Sequence, residues 1–287
     1  MSPTAIPGNL ILQSPSNSIW KITSDQVNPP GDAAITYGIT NAGGDFNLRS
    51  AGTVDYEVEW GDGAVEISTL NPLPHTYTAG NYTLGVYSDS VYRPFFNNGA
   101  ADASQITSVT IGPGANLGTD LGGAWYGASN MTSFVCPFDV TSGVTNFSST
   151  WRNCGLTSFP LINTSSGTSF VGAWRSTSFT DFPELDFSSA ITFNRAWIFS
   201  RIENFPPNMF DTTGTLSGDA FTFSWVGARL SAQSIENILV SLDTNGATGI
   251  TLSIDGGTNA AKTTWSAAAV TAYDNLIVKG WTISFNA

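Results

Sequence analysis

One short phrase recurs through the middle of this chain. It reads Ile106-Thr107-Ser108-Val109, Met131-Thr132-Ser133-Phe134, Leu156-Thr157-Ser158-Phe159, Phe179-Thr180-Asp181-Phe182 and Ile202-Glu203-Asn204-Phe205. The starts lie 25, 25, 23 and 23 residues apart, and Pro137, Pro160, Pro183 and Pro206 fall 23 apart. Trp125, Trp151, Trp174 and Trp197 keep nearly the same beat. A fixed period in the twenties predicts a solenoid, because no single unit can bury its own apolar side. The phrase itself predicts a short strand. Each coil then turns, often at the proline, and returns through the segment that holds the Trp.

The surface such a chain presents is unusual. Charged residues are 11% of the 287, against 41% apolar and 12% aromatic. That charged share is roughly half the ordinary one. Gly, Ser, Thr and Asn fill the surface instead, a neutral hydrogen-bonding skin common on β-rich extracellular and virion proteins. Ten basic against 22 acidic side chains leave −12. Nucleic acid is therefore not an expected partner, since phosphate binding needs a basic face; nor is an anionic membrane. No apolar run reaches the length of a membrane span. The opening Met1-Ser2-Pro3-Thr4-Ala5-Ile6-Pro7 has no basic region followed by an apolar stretch, so no secretory signal is expected there. An outdoor skin without that signal suggests release by lysis, as virion parts are released. Cys136 and Cys154 sit in neighbouring coils. A disulfide and two small buried thiols are both open, the thiols being the ordinary case.

Residues 1–34 are rich in Pro, Ser and Asn and predict an arm or linker. Leu10-Ile11-Leu12 and Ile19-Trp20-Lys21-Ile22 are short strand candidates, and Pro29-Pro30-Gly31-Asp32 is a turn. Residues 35–95 predict an all-β module. Val54, Tyr56, Val58 and Trp60 alternate with Asp55, Glu57 and Glu59, the pattern of a half-buried strand with an acidic outer face. Gly61-Asp62-Gly63 is a tight turn, and His75-Thr76-Tyr77, Gly80 and Tyr82-Thr83-Leu84-Gly85-Val86-Tyr87 predict a second hairpin arm. Asn98-Gly99 signals another turn, and Phe95-Phe96 is expected to cap the first coil. Late in the chain, Ser231 predicts an N-cap for a helix with Ile235, Ile238, Leu239 and Leu242 on one stripe, ended at Asn245-Gly246. Ser266 predicts a second helix ended at Gly280. The stretches Gly249–Ile254 and Trp281–Phe285 are strands, and strand–helix–strand order predicts parallel pairing.

Two stretches carry a family resemblance. Trp60-Gly61-Asp62-Gly63 followed by His75-Thr76-Tyr77, Gly80 and Tyr82-Thr83 resembles the polycystic-kidney-disease (PKD) type of immunoglobulin-like domain, over some 55 residues. That resemblance implies a small β-sandwich used as a spacer or binding module, without catalysis, and a structural His75 packed near the turn. Trp125-Tyr126-Gly127 before Asn130-Met131-Thr132-Ser133-Phe134, and Trp151-Arg152-Asn153-Cys154 before Leu156-Thr157-Ser158-Phe159, resemble the BspA-like leucine-rich repeats of phage, prophage and bacterial surface proteins. Later coils depart from that pattern, replacing Gly and Cys with Ser or Phe. With both resemblances the expected fold is mainly β. An Ig-like β-sandwich over 35–95 precedes a right-handed leucine-rich-repeat-like solenoid over 96–287, with one parallel sheet and two C-terminal helices.

Catalytic patterns are sparse. There is one histidine, no Gly-x-Ser-x-Gly elbow, no phosphate loop and no Cys-x-x-Cys pair. Asp62 with Asp55 or Glu57 is a thin calcium candidate beside the simpler reading of a turn carboxylate. Asp181, Glu184, Asp186 and Glu203 lie in adjacent coils, where a carboxylate pair would suit a glycosidase and an acidic outer face is the plainer account. The Trp series reads either as an exposed ladder for sugar rings or as a core stripe, and the need to fill each coil favours the core. If the Trp side chains point inward, Arg152 and Arg175, which directly follow two of them, point outward one coil apart, with Tyr126 in the same place one coil earlier. Tyr126, Arg152 and Arg175 are the candidate ligand-binding residues, for an acidic sugar or a partner's carboxylates; solubilising cations are the plain alternative. No cofactor and no metal are expected. These observations point to a non-enzymatic bacteriophage virion protein on the particle exterior, a tail fibre or a capsid or tail decoration. Its expected partners are other virion proteins and a host surface glycan or protein, and a homo-oligomer is compatible. A bacterial surface adhesin and a polysaccharide-degrading tailspike are the rivals.

Overall fold

The computed structural model describes residues 10–13, 19–22, 34–52, 55–88, 90–96 and 101–287, the first two stretches in backbone only. Strands β1 (Leu10–Gln13) and β2 (Ile19–Ile22) form an antiparallel pair with Leu10 opposite Ile22. The rest of the 1–34 arm except Ala34, with its Pro29–Asp32 turn, lies outside the described residues, as do Val54 and Asn98-Gly99.

The main sheet draws its strands from both sides of residue 96. Its members are β3 (Ile35–Asn41), β5 (Tyr56–Glu59), β6 (Val65–Ser68), β8 (Gly80–Tyr87), β9 (Ile106–Ile111) and β10 (Ser133–Val135), in the order β10-β9-β3-β8-β5-β6. β4 (Gly44–Leu48) and β7 (Leu73–Tyr77) make a separate antiparallel pair. Alternation does its usual work here: Ile35, Tyr37 and Ile39 on β3, and Tyr56 and Val58 on β5, face the core with Trp60. β7 and β8 are adjacent in sequence but enter different sheets, so the expected second hairpin arm is not made. The Gly61-Asp62-Gly63 turn is held closely. Gly61 has φ +79°, and a Cβ there would meet the Thr83 carbonyl oxygen at 2.3 Å, so glycine is required. Asp62 accepts from Ala64 N–H at 3.0 Å and lies 2.8 Å from His75 Nε2, whose ring stacks on Trp60 at 4.4 Å. Helix α1 (Ala101–Gln105) supplies Asp102, which is buried against Arg49 Nε at 3.0 Å and Arg49 Nη2 at 2.9 Å.

The expected mainly β architecture, an immunoglobulin-like sandwich followed by a leucine-rich-repeat-like solenoid with one parallel sheet, is not what the described residues form. The sheets are mixed, three helices contribute, and the main sheet pairs β9 antiparallel to β3 and parallel to β10. Of the five repeated phrases only the first two hold strands; the region after β10 has single parallel bridges, such as Asn146 with Ser169 and Ser169 with Thr192. The physical reason lies in the phrase. Both of its apolar residues are buried, Leu156 with Phe159 and Phe179 with Phe182, yet they stand three apart. On a strand, positions i and i+3 face opposite sides. Burying both requires a bend or a bulge: β9 buries Ile106 and Val109 through the register shift opposite Gly38 and Ile39, and the last three phrases leave the strand conformation.

Backbone pairing beyond β10 runs instead through turn segments, each centred on a Trp. The Trp125 N–H donates to Thr150 O at 2.9 Å, Trp151 to Ala173 O at 3.0 Å, Trp174 to Ala196 O at 2.9 Å, and Trp197 to Ser224 O at 2.9 Å. N–H groups at neighbouring positions close local turns, as in Ala128 N to Trp125 O and Cys154 N to Trp151 O, each at 3.2 Å. The backbone thus divides its donors between its own turn and the next segment, which satisfies buried polar groups without a strand. Two residues before and two after each Trp, φ is positive: Gly123, Ser149, Gly172, Arg195 and Phe223 on one side, Gly127, Asn153, Ser176, Phe199 and Gly227 on the other.

Aromatic columns fill the interior. The indoles of Trp125, Trp151, Trp174, Trp197 and Trp225 are fully buried and stacked at centroid spacings of 6.0, 5.8, 5.6 and 4.6 Å. Phe147, Phe170, Phe193 and Phe221, four residues before a Trp, stack at 5.2, 5.3 and 5.3 Å. Phe134, Phe159, Phe182 and Phe205 meet the indoles edge-on. Each such ring pair contributes about 0.5–1.5 kcal/mol beyond its buried area. At the head of the stack Phe96 is buried and its N–H bonds Ala124 O at 3.2 Å.

The far end closes with helices. α2 (Ala232–Asn245) is capped by Ser231, whose side chain accepts from Ser234 N–H, and ends at Gly246 in the left-handed region. α3 (Ala267–Val278) is capped by Ser266 in the same way. β11 (Thr251–Ile254) and β12 (Thr282–Phe285) pair in parallel as a sheet of their own and do not extend the main sheet. Lys262 lies over Tyr273, Phe285 and Trp265, closing the apolar end with a cation–π contact.

Candidate functional site

The inward Trp fixes what faces out. In each turn segment the residue after Trp and the two left-handed positions flank the buried indole, and in the middle segments these places carry cations and rings. Arg152 stands over the Tyr126 ring with 4.5 Å from its guanidinium carbon to the centroid. Arg175 stands over Phe199 at 5.9 Å, and Arg195 over Phe223 at 5.0 Å. Every one of these pairs joins neighbouring segments, so the stack itself brings the partners together.

The cations lack carboxylates. Among the described residues the ion pairs are Arg49 with Asp102, His75 with Asp62, Arg93 with Asp120 and Lys279 with Asp243. Arg152, Arg175 and Arg195 are in none of them. Arg152 Nε is buried with no acceptor, and Arg195 Nη1 donates to the neutral Asn194 Oδ1 at 2.9 Å. Burial, and then the positive charges of Arg152 and Arg195, push the Arg175 guanidinium below its ordinary value, while Tyr126 acts the other way. Three like charges converge on one face of a chain that carries −12.

Phe199 and Phe223 stand out chemically. They are 54% and 43% exposed, at φ of 58° and 59°. Elsewhere these columns hold the small residues Gly and Ser or the locally hydrogen-bonding Asn; a β-carbon there costs about 1–2 kcal/mol, which Gly escapes and Asn partly offsets. Arg195 shares the conformation, at φ 59°. Phe199 fits because the next segment has Gly227: a Cβ there would lie 2.5 Å from the Phe199 ring. Exposed bulk at left-handed positions is strain of the kind that gathers where ligands bind.

The structure therefore brings together all three sequence candidates, Tyr126, Arg152 and Arg175, and adds Arg195, Phe199 and Phe223. The added residues were visible in the sequence at Trp−2 and Trp+2, where bulky side chains interrupt columns of Gly, Ser and Asn. The other candidates fare differently. Asp181 accepts from Thr180 Oγ1 at 2.6 Å and Asn204 Nδ2 at 2.7 Å, and these bonds hold its carboxyl below the usual range. A general acid needs the opposite shift. Asp62 is occupied with its turn and His75, and no metal-holding group of His, Cys, Asp or Glu occurs among the described residues. Cys136 and Cys154 are free thiols; burial pushes Cys136 up to about 12 and Cys154 further. Cys154 Sγ donates to Trp125 O at 3.0 Å. No helix among the described residues is long and apolar enough to cross a membrane. Comparison of the chain with protein-family models, with curated proteins and with solved structures found no match.

Proposed function

We propose that this chain is a non-catalytic attachment protein of a bacteriophage particle, displayed on its exterior, and that Tyr126, Arg152, Arg175, Arg195, Phe199 and Phe223 form its contact face. One observation carries the reading: three guanidiniums on successive turn segments, each over a ring and none with a carboxylate partner. Arg152 Nε is buried and Arg195 Nη1 is held by Asn194, but the guanidiniums keep other N–H groups without a carboxylate for an incoming anion, and the rings beneath fix them before it arrives. The neutral Gly, Ser, Thr and Asn skin supports an exterior setting. Partners on this reading are a host surface molecule bearing negative charge and, through residues 1–34, other particle proteins.

The test is binding of the purified chain to host cells by the wild type and by R152Q/R175Q. At least a tenfold loss is expected, with the thermal midpoint unchanged. Undiminished binding overturns the contact face, and absence of the chain from fractionated virions overturns the particle assignment.

A further inference from the structure

We infer that the ligand on this face is a polysaccharide bearing isolated carboxylates, with one uronate or similar acid among several neutral sugars, seated along the row of Arg152, Arg175 and Arg195. The inference rests on the contact face proposed above and names the chemistry it selects.

Charge distribution narrows the class. A densely charged polymer, such as polyphosphate or single-stranded nucleic acid, needs cations along its whole track. This chain has ten basic residues against 22 acidic ones, so a polyanion that leaves the patch meets a negative protein. One positive patch on an otherwise acidic chain suits a ligand with one negative group among neutral ones. The neighbours of the patch fit the remainder of such a ligand: Ser149, Asn153 and Ser176 offer hydroxyls and an amide within the same turn segments. Sugar hydroxyls pair with groups of that kind.

Geometry narrows the anion. A guanidinium fork matches a planar carboxylate with two parallel N–H···O bonds. Arg152 and Arg175 belong to adjacent segments, and the backbone of one bonds the next from Asn153 N to Arg175 O at 2.8 Å. Their backbones thus share one hydrogen-bonded rung, while Arg152 leans back over Tyr126 and Arg175 forward over Phe199, so each fork offers its own seat for a planar carboxylate. Phe199 and Phe223 hold two of the guanidiniums by their faces and leave exposed apolar edges beside them. A sugar ring carries apolar C–H patches that rest against such edges; a bare phosphate chain does not.

The experiment is calorimetric titration of the full chain with soluble polymers. The probes are a polysaccharide with one glucuronate per tetrasaccharide repeat, its carboxyl-reduced form, a polyglucuronate, polyphosphate and single-stranded DNA. The sparse uronate polymer is expected to bind tightest, and carboxyl reduction to weaken it at least tenfold. R175Q is expected to cost about as much as carboxyl reduction, R175K less, because lysine keeps the charge and loses the fork. Equal binding of the carboxyl-reduced polymer, or tighter binding of polyphosphate or DNA, overturns the inference. If the uronate polymers fail while host-cell binding still depends on Arg152 and Arg175, the ligand class is wrong and the contact face stands. If host-cell binding ignores those arginines, the face itself is wrong.

Discussion

In the main sheet a backbone N–H finds its partner on a strand that arrives from a distant part of the chain, as β3 does between β8 and β9. Between Leu121 and Ala228 it finds that partner one segment further on, one segment back, or within its own turn. The side-chain consequences differ in kind. In the sheet region, Trp60 packs against His75 and Tyr77, rings unlike itself. In the turn stack Trp151, Trp174 and Trp197 each pack against an indole on both sides. A sheet distributes its support over dissimilar neighbours, whereas a stack of like segments depends on continuity of each column. It follows that a defect in the stack is felt by two segments, and that any residue placed outward is repeated or interrupted at a fixed spacing.

The largest expected effect tests that dependence. Trp174 lies between Trp151 at 5.8 Å and Trp197 at 5.6 Å, fully buried. Trp174→Ala removes both stacking contacts and leaves a cavity, and a loss of about 3–5 kcal/mol is expected from denaturant unfolding. Amide exchange is expected to quicken in the segments of Trp151 and Trp197 as well as in its own. Trp60→Ala is expected to cost a similar amount but to speed exchange only around β5 and β7. Were the spread of exchange alike in the two variants, the contrast between sheet and stack would fail. Trp174→Phe sharpens it. This change keeps a ring in the column and removes an indole N–H that has no acceptor. Leaving that N–H buried costs about 1–3 kcal/mol, so the Phe variant is expected to lose much less than the Ala variant.

The next effect has the opposite sign. Phe223 holds a left-handed backbone that asparagine adopts more readily. Phe223→Asn is therefore expected to stabilise the chain by about 1 kcal/mol while weakening its ligand, with Arg195 released from the ring beneath it. Ser149, at the equivalent position two segments earlier than Arg195, makes the control: Ser149→Asn is expected to alter neither quantity by much. Loss of stability in Phe223→Asn would show that the ring is packing and not a binding feature.

These positions also show how far the residues alone could be read. The 23-residue beat, the buried Trp column, the Ser231 and Ser266 caps and the Gly246 stop were all visible, because each rests on local chemistry with a fixed spacing. The strand assignment held for the first two phrases and failed for the last three, where apolar residues three apart, as in Leu156 and Phe159, are both buried by a bend and not a pleat. Membership of the sheets was not legible, since β7 and β8 are separated by two residues and yet part company, a choice settled by tertiary packing. Of the contact face, Tyr126, Arg152 and Arg175 followed from the inward Trp. Arg195, Phe199 and Phe223 needed a further step, that a column of Gly, Ser and Asn marks a left-handed backbone and that bulk within it is costly.

The smallest expected effect compares one carboxylate from each region. In the sheet, the Asp62 carboxyl lies below its ordinary range, chiefly through the hydrogen bond to His75 and then that from Ala64 N–H. In the stack, Asp181 is lowered by Thr180 and then Asn204. A depressed folded-state value means that the folded chain binds the proton less readily than the unfolded one. The stabilisation is therefore complete above the ordinary carboxylate range, and it disappears as pH falls through the depressed folded value. Both groups are open to solvent, so each contribution is small. Asp62→Asn and Asp181→Asn are each expected to flatten the acid limb of the stability curve slightly, with no change near neutrality beyond the lost contact. The two should differ in one respect. The charge of His75 adds to its hydrogen bond in lowering Asp62, whereas Asp181 is lowered by the uncharged Thr180 and Asn204 alone. Added salt is therefore expected to weaken the Asp62 contribution and leave that of Asp181 nearly unchanged. Equal salt sensitivity in the two variants would mean that the contact with His75 acts through its hydrogen bond alone.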